Sequence, residues 1–567
     1  MRRSFLGFAA AFAVSVAPFA TRCQTRTSMP AVPQIAGIPA AAQKAESGID
    51  PEKIRTDVKY LADDKLEGRG PGTPGDRMAA KYMEDQFATY GLKPAGDNGG
   101  WYQKVPLYAV KTVPDQTTFT LVPKDGAPVV LKYGADYVTN NQIGSATADI
   151  DAPIVFVGYG IHAPEYNWDD YKGVDVHGKV ALVIVNEPPS DDPAFFKGKA
   201  MTYYGRWTYK YEEAARQGAV GVLIIHREDL ASYPWQVVRS SWSGEKSYLV
   251  GDPNAKLKVA SWIQEDVAQK IAQSMGHDVD QVIEASGKGS HSQVLDWRLK
   301  AHIVSQKRDF DSENVIGKVT GKNAGGQAVL YTAHFDHLGM DANAAGDKIY
   351  NGAADNGTGC GILLEMARAF ADAAKAGAQP AHDVYFAAVT AEEQGLLGSE
   401  YLGMHPPVPA KEITLDLNYD MLLPIGMPTS TEVSGAERTS FYPTVEKTAQ
   451  AFDLTIQPDQ FPGAGHYYRS DHFSLARFGI PAFSIGQGTL FAGHDASWGE
   501  DQMKDYTEHR YHQPSDEYRP DMNFTGDARM AQFGFALGWL ASEAPQSVGW
   551  QAGDEFAAAR AKSEGGK

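Results

Sequence analysis

AHFDHLGMDANAAGDKIYNGAADNGTGCG, residues 333–361, opens with His334-Phe335-Asp336 and runs into a glycine-rich turn around Asp355. The apolar run 328–331 just before it reads as a buried strand, and Ile362, Leu363, Met366 and Phe370 just after it recur at helical spacing. A histidine and an aspartate therefore mark the two ends of one irregular stretch between a strand and a helix. Ligand sites in open α/β sheets lie in such places, beyond the carboxyl ends of the strands. One histidine with one carboxylate is more often a satisfied polar pair than a site, but the pattern repeats downstream. Strand-like 384–390 runs into Glu392-Glu393, strand-like 413–419 runs into Asp420, and apolar 480–485 precedes a long loop that ends in Tyr511-His512.

The chain has 567 residues, which favours two domains over one, and its 43% hydrophobic content is that of a globular protein with a large core. A net charge of −18 argues against nucleic acid or an anionic membrane as a partner. The only cysteines, Cys23 and Cys360, are too few for a disulfide framework or a cysteine-based zinc site. Arg2 and Arg3 followed by the uncharged apolar run 5–20 read as a cleavable signal peptide, expected over 1–28. The expected location is periplasmic or secreted, with no stable membrane span after cleavage.

Residues 31–47 read as a loose leader, 67–75 as a turn-rich loop, 76–90 as an amphipathic helix and 105–132 as strands joined by turns. A second unit follows, with buried-strand runs at 154–158, 180–185 and 220–225 and a helix at 209–217. It holds no cluster of histidines, cysteines and carboxylates, so its expected role is structural or substrate-guiding. The strand 314–319 returns to the first unit. The expected organisation is an α/β domain, 48–130 and 301–546, interrupted by an α/β insertion, 131–300, and closed by a helix near 524–544 and a frayed tail, 547–567. The long loop 486–510 carries Phe491, Trp498 and Tyr506, which suit an apolar substrate pocket.

His334, Asp355, one of the pair Glu392 and Glu393, Asp420 and His512 make a nitrogen and oxygen donor set without thiolate. Such a set suits zinc in an open catalytic site, or two metals sharing a carboxylate. Asp336, two residues from His334, can take the imidazole N–H and fix the tautomer. The adjacent acids 392 and 393 divide naturally into a ligand and a general base. His337 reads as structural, His466 and His494 as solvated loop residues, and Ser470-Asp471-His472 as part of a cleft wall.

Five stretches in this order, Ala-His-Phe-Asp-His, Gly-Ala-Ala-Asp-Asn-Gly-Thr-Gly, Ala-Glu-Glu-Gln-Gly-Leu-Leu-Gly-Ser, Asn-Tyr-Asp-Met and Tyr-His-Gln-Pro-Ser-Asp, resemble the zinc-dependent aminopeptidases of peptidase family M28. The form resembled carries an inserted protease-associated domain. The resemblance implies a mixed central sheet with helices on both faces, the zinc-exopeptidase (phosphorylase/hydrolase-like) fold. It also implies two zinc ions, peptide substrates and a role for each matching position. Asp355 would bridge both metals, and the Asp355–Asn356 peptide would be cis. His334 and Asp420 would complete one metal site, Glu393 and His512 the other. Glu392 would be the general base and Tyr511 a donor to the oxyanion. The insertion, with Gly178-Lys179-Val180 and 214–221, resembles the protease-associated domain that borders the cleft. Within the same fold a carboxypeptidase or a glutaminyl cyclase is the rival reading, and a non-catalytic receptor-like domain is another. Arg469, Arg477 and Arg510 are the loop cations a carboxypeptidase would need, with Arg477 expected at the surface and Asp471 or Glu508 as local partners for the others.

Overall fold

The computed structural model describes residues 29–565 apart from 290, 324, 342–345 and 460–461. The expected signal peptide and Cys23 lie outside the described residues. The stretch expected as a loose leader instead contains helix α1, Ala40–Ser47, followed by α2, Pro51–Leu61. The reason is tertiary. Asp50 N donates to Glu365 Oε2 at 2.9 Å and Arg368 Nη2 donates to Gly48 O at 2.6 Å, so a later helix holds the turn between α1 and α2. Helix α3, Pro74–Tyr90, starts two residues ahead of the expected 76. Thr73 caps it by accepting from Asp76 N, Pro74 fits the first turn, and Gly91, at φ 85, ends it in the left-handed region.

The strands are β1, Tyr102–Thr112, β2, Thr118–Pro123, β3, Tyr137–Asn140, β4, Thr147–Phe156, and β5, Val180–Ile184. After helix α4, Trp207–Arg216, come β6, Gly221–Ile225, β7, Lys246–Leu249, and β8, Val259–Ile263. Then follow the 27-residue β9, Gln293–Val319, and β10, Ala328–His334. Helix α5, Gly359–Lys375, leads to β11, Asp383–Val389, and β12, Ile413–Asn418. Helix α6, Asp471–Arg477, precedes β13, Ala482–Ser484. Helices α7, Trp498–His509, α8, Thr525–Ser542, and α9, Ala557–Ser563, complete the chain.

One sheet runs β13-β12-β10-β11-β9. Its first four strands are parallel and β9 is antiparallel to β11, which makes the sheet mixed. Every residue of β10, β11 and β12 is buried; β10 and β11 carry the apolar runs expected of strands covered on both faces, whereas β12 also buries the polar Thr414, Asp416 and Asn418. Tyr331 of β10 stacks on Phe386 of β11 at 5.2 Å, and Phe370 of α5 meets Phe535 of α8 at 4.3 Å. On the opposite face Leu330, Ala387 and Val389 pack with Leu402 and with Leu475 of α6. Helices thus cover both faces.

The long strand β9 carries a second sheet on its other half. There it pairs with β2 and β4, and the order continues β4-β5-β6-β8-β3, with β4, β5, β6 and β8 parallel. Strand β2, ahead of residue 131, pairs into this second sheet, and β9 runs unbroken through residue 300. The expected frayed tail instead holds α9. Arg438 bonds Asp554 and Glu555, and Arg560 donates to the carbonyls of Ala410, Lys411 and Ile413. Buried Phe556 packs on Tyr467. No helix among the described residues is long and apolar enough to cross a membrane.

Candidate metal centre

Parallel register decides which residues meet. Ala333 of β10 lies beside Ala388 of β11, and Thr332 lies beside Asn418 of β12, so the three strands end together. The chain leaving them carries His334-Phe335-Asp336-His337, Glu392-Glu393 and Asp420. Asp355 comes to the same edge on the turn that opens α5, and the Asp355–Asn356 peptide is cis. His512 arrives from the loop after α7.

His334 Nε2 lies 3.2 Å from Asp420 Oδ1 and 3.4 Å from Asp355 Oδ1. His512 Nε2 lies 3.2 Å from Asp355 Oδ2 and 3.2 Å from Glu393 Oε2. The two oxygens of Asp355 therefore face two different nitrogen and oxygen sets. Glu392 Oε2 sits further out, 3.9 Å from His334 Nε2. Asp336 Oδ1 is 3.7 Å from His334 Nδ1, and the same carboxylate accepts from Glu392 N at 3.1 Å and Glu393 N at 3.4 Å. Asp336 therefore reaches the first histidine and the backbone of the acid pair together.

His337, expected to be structural, is buried against the site, with Nδ1 2.6 Å from Glu393 Oε1. The contact lacks hydrogen-bond geometry, and both ring nitrogens and Glu393 Oε1 are buried without a hydrogen-bond partner. Its only signal in the sequence is its place one residue after Asp336. Tyr511 is 40% exposed and stacks on His512 at 3.9 Å between ring centroids, at the rim rather than the floor.

The electrostatics follow from burial and from the excess of acids. Burial, reinforced by Asp420 and Glu393 and opposed by His334, pushes the Glu392 carboxyl well above the ordinary range. Against burial, the imidazoles of His337 and His512 hold Glu393 down to about 2. His334 and His512 hold Asp355 well below its usual value, again against burial. Against burial of its own ring, the carboxylates of Asp355 and Glu393 push His512 up to about 10. A site that draws protons onto its imidazoles this strongly favours a divalent cation for the same electrostatic reason. Atoms that could hold a metal converge in two groups, His334 with Glu392 and Asp420, and His337 with Asp355 and Glu393. Oxygen and imidazole donors without thiolate, with buried acceptor atoms left unpartnered, fit zinc. Cys360 is no ligand, because its Sγ donates to His334 O at 3.1 Å and burial pushes the thiol up to about 12.

The loop cations are largely engaged elsewhere. Arg477, expected at the surface, is held between Glu400 at 3.1 Å and Glu212 of α4 at 2.8 Å. Arg510 pairs with Asp505 rather than Glu508, and exposed Arg469 donates to Ala464 O at 2.8 Å. The loop expected at 486–510 is half helix, because α7 occupies 498–509. Its Trp498 stacks on His494 at 3.7 Å and packs against Phe491 at 5.2 Å.

Residues 314–533, which carry every one of these candidate ligands, match the model of peptidase family M28. The match places this segment in peptidase family M28. Among the curated proteins this chain is similar to, leupeptin-inactivating enzyme 1 of Streptomyces exfoliatus is 32% identical over 158 residues, 26% of this chain and 31% of that protein. Leucine aminopeptidase 1 of Arthroderma otae is 26% identical over 40% of this chain and 60% of its own length. An aminopeptidase of Pseudomonas aeruginosa is 26% identical over 77% of this chain and 69% of its own. The chain thus spans between about a third and two thirds of the length of these relatives. Among solved structures, the aminopeptidase from Aneurinibacillus sp. strain AM-1 aligns over 88% of this chain and 96% of its own, at 17% identity and a TM-score of 0.46.

Proposed function

We propose that this M28 chain is an exported zinc aminopeptidase that removes N-terminal residues from peptides. The observation that carries the reading is Asp355, whose two oxygens serve two separate nitrogen and oxygen sets at one sheet edge. His334, Asp355 and Asp420 would hold one zinc ion, and Asp355, Glu393 and His512 the other. When bound, the ions supply Lewis acidity for the scissile carbonyl and for the attacking water. Glu392, near the first set but outside the tight contacts, takes the proton of the attacking water and returns it to the leaving amine. Its position against His334 supports this division of labour with Glu393. Asp336 keeps His334 in one tautomer and fixes the backbone from which both acids project. Tyr511, on the rim beside His512, donates to the oxyanion as the carbonyl becomes tetrahedral. Glu392 and Asp420 offer acceptors for a free α-ammonium.

The insertion expected over 131–300 is assigned to a protease-associated domain that borders the cleft. Ser247 Oγ of β7 lies 3.2 Å from Gln394 Oε1, one residue past the acid pair, which supports a place at the cleft wall. Export rests on the apolar, uncharged stretch 5–20 behind Arg2 and Arg3.

A peptide ladder followed by mass spectrometry tests the direction of attack. Residues are expected to leave one at a time from the N-terminus, with N-acetylation blocking the reaction and C-terminal amidation leaving it unaffected. Loss from the C-terminus of an N-acetylated peptide would make the protein a carboxypeptidase. Cyclisation of an N-terminal glutamine without peptide cleavage would make it a glutaminyl cyclase.

A further inference from the structure

The glycine-rich loop ahead of α3 lies outside the matched segment 314–533 and contributes none of the proposed ligands. It nevertheless sends Arg69 to the site's underside, where the residue is 0% exposed. The guanidinium Nε donates to Phe335 O at 2.7 Å, one residue past His334. Nη1 donates to Leu61 O at 2.8 Å and to Asn351 O, and Nη2 to Gly352 O at 3.0 Å and Asp355 O at 3.5 Å. Besides its bond to Leu61 at the end of α2, this one side chain ties together two segments of the site. One follows the β10 ligand His334, and the other carries Asp355 itself.

The other side of the Asp355 turn is held by an opposite charge. Asp516 accepts from Ala354 N at 3.1 Å and Asp355 N at 3.1 Å, and Tyr506 donates to the same carboxylate at 3.0 Å. The peptide that carries Asp355 is thus gripped at its carbonyls by a cation and at its amides by an anion. The loop that delivers Arg69 is seated without slack. A Cβ on Gly68 would stand 2.3 Å from Gly339 O and 2.5 Å from Tyr350 O, and one on Gly75 would stand 1.7 Å from Leu66 O. Asp76 locks the loop to β9, its Oδ2 accepting from Gly72 N at 2.8 Å and Ser312 Oγ at 2.7 Å. Arg69 itself adopts φ 52, a left-handed conformation that is unfavourable for a non-glycine residue. The backbone takes that shape to bring the fork under the site.

We propose that Arg69 is a positioning residue of the metal centre, setting the separation between His334 and Asp355 so that both oxygens of Asp355 stay on their two partners. The inference rests on the reading of these residues as a metal centre. A lysine could not do the same work, because its ammonium is a single point with three donors, whereas the planar guanidinium presents five in a fixed fork. A residue that merely glued the domain together would alter stability and leave ligand geometry alone.

The test uses Arg69→Met and Arg69→Lys in the full chain, with metal removed and then returned. Zinc affinity is read by competition with a chromophoric chelator, and ligand geometry by the visible spectrum of the cobalt-substituted protein. Arg69→Met is expected to keep the far-UV circular dichroism of the wild type, to bind zinc 10- to 100-fold more weakly, and to show an altered cobalt spectrum. Its kcat should fall while KM stays close to wild type, since Arg69 does not line the cleft. Arg69→Lys should show the same signs in weaker form, and it carries the test should Arg69→Met not fold. Folded variants with wild-type zinc affinity and cobalt spectrum would overturn the proposal. So would the failure of both variants to fold, since Arg69 would then hold the domain and not the site. A wild-type protein that takes up no zinc would instead sink the metal-centre reading itself.

Discussion

At the carboxyl ends of β10, β11 and β12 the chain places His334, Glu392, Glu393 and Asp420, while the ends of β5, β6 and β8 in the second sheet lead to Asn186-Glu187, His226 and Gln264. Both sheets are built of buried parallel strands and both hang on β9. They differ in how buried charge is answered. Glu187 accepts from Thr202 N at 2.8 Å and from the Thr202 hydroxyl, with buried Lys210 nearby. His226 Nε2 meets Tyr233 O at 3.0 Å. In the first sheet Asp336, Asp355, Glu392, Glu393 and Asp420 crowd one edge, and imidazoles are their nearest basic partners. Self-contained charge marks a structural sheet end. Uncompensated acid with imidazoles aimed into it marks a cation site.

The largest effect that this contrast implies is metal removal. Purified protein should hold close to two zinc ions per chain, and chelation should abolish peptidase activity until zinc is returned. Full activity with only one tightly bound ion per chain would break the idea that Asp355 serves two sets. Next in size is the division between the adjacent acids. Glu392→Gln should retain both ions yet lose about 10²–10⁴-fold in kcat, the usual worth of a general base. Glu393→Gln should lose zinc as well as turnover, because Glu393 Oε2 faces His512 within the second set. Near wild-type turnover in Glu392→Gln would reverse the two roles.

Legibility in the sequence followed the same divide. Strands β10 and β11 were readable from short apolar runs and β12 from its alternation of apolar and polar residues, and the acids directly after them share an edge once the strands are parallel. His334, Asp355, Glu393, Asp420 and His512 all meet there. Helix α7 was missed because its polar sequence has no apolar stripe, and only Gly499 and Tyr506 are buried. Helices α1 and α9 were missed because each is held by partners hundreds or tens of residues away, such as Glu365 for the α1–α2 turn and Ile413 for Arg560. Arg69 left no signature, since a side chain that donates to backbone carbonyls asks for no particular residue at the other end. His337 looked structural because nothing local shows that Glu393 would fold onto it.

A smaller effect is expected in the second sheet. Glu187→Ala leaves Thr202 N and its hydroxyl without their acceptor, which should cost ~1–3 kcal/mol in chemical denaturation. Zinc content and kcat on a dipeptide substrate should be unchanged. A loss of zinc in a folded Glu187→Ala protein would show that the two sheet ends are not independent.

An effect of similar size, but one that emerges only as pH rises, concerns a buried acid that has neither a cation site nor a hydrogen-bonding partner. Glu46 of α1 is 0% exposed and neither carboxylate oxygen has a hydrogen-bond partner. Burial pushes its carboxyl from 4.5 up to about 8, with Arg529 of α8 pulling the other way. Tyr331 of β10 is the other titratable group whose field involves Glu46. Protonation does for Glu46 what a cation would do for Asp355: it removes a charge that the interior cannot solvate. Between pH 4.5 and about 8 the folded chain keeps this proton and the unfolded chain has released it. The folded state then binds more protons than the unfolded state, so the stabilisation is full below pH 4.5 and is lost as pH rises toward 8. Glu46→Gln cannot ionise and should remove this slope. The difference in unfolding free energy between variant and wild type should grow from acidic to mildly alkaline pH and reach ~1–3 kcal/mol in favour of the variant. Comparing the two proteins cancels the other buried acids, which share the same trend. Parallel stability curves across that range would mean that Glu46 is ionised beside Arg529, and that protonation is not how this fold carries its buried acid outside the metal centre.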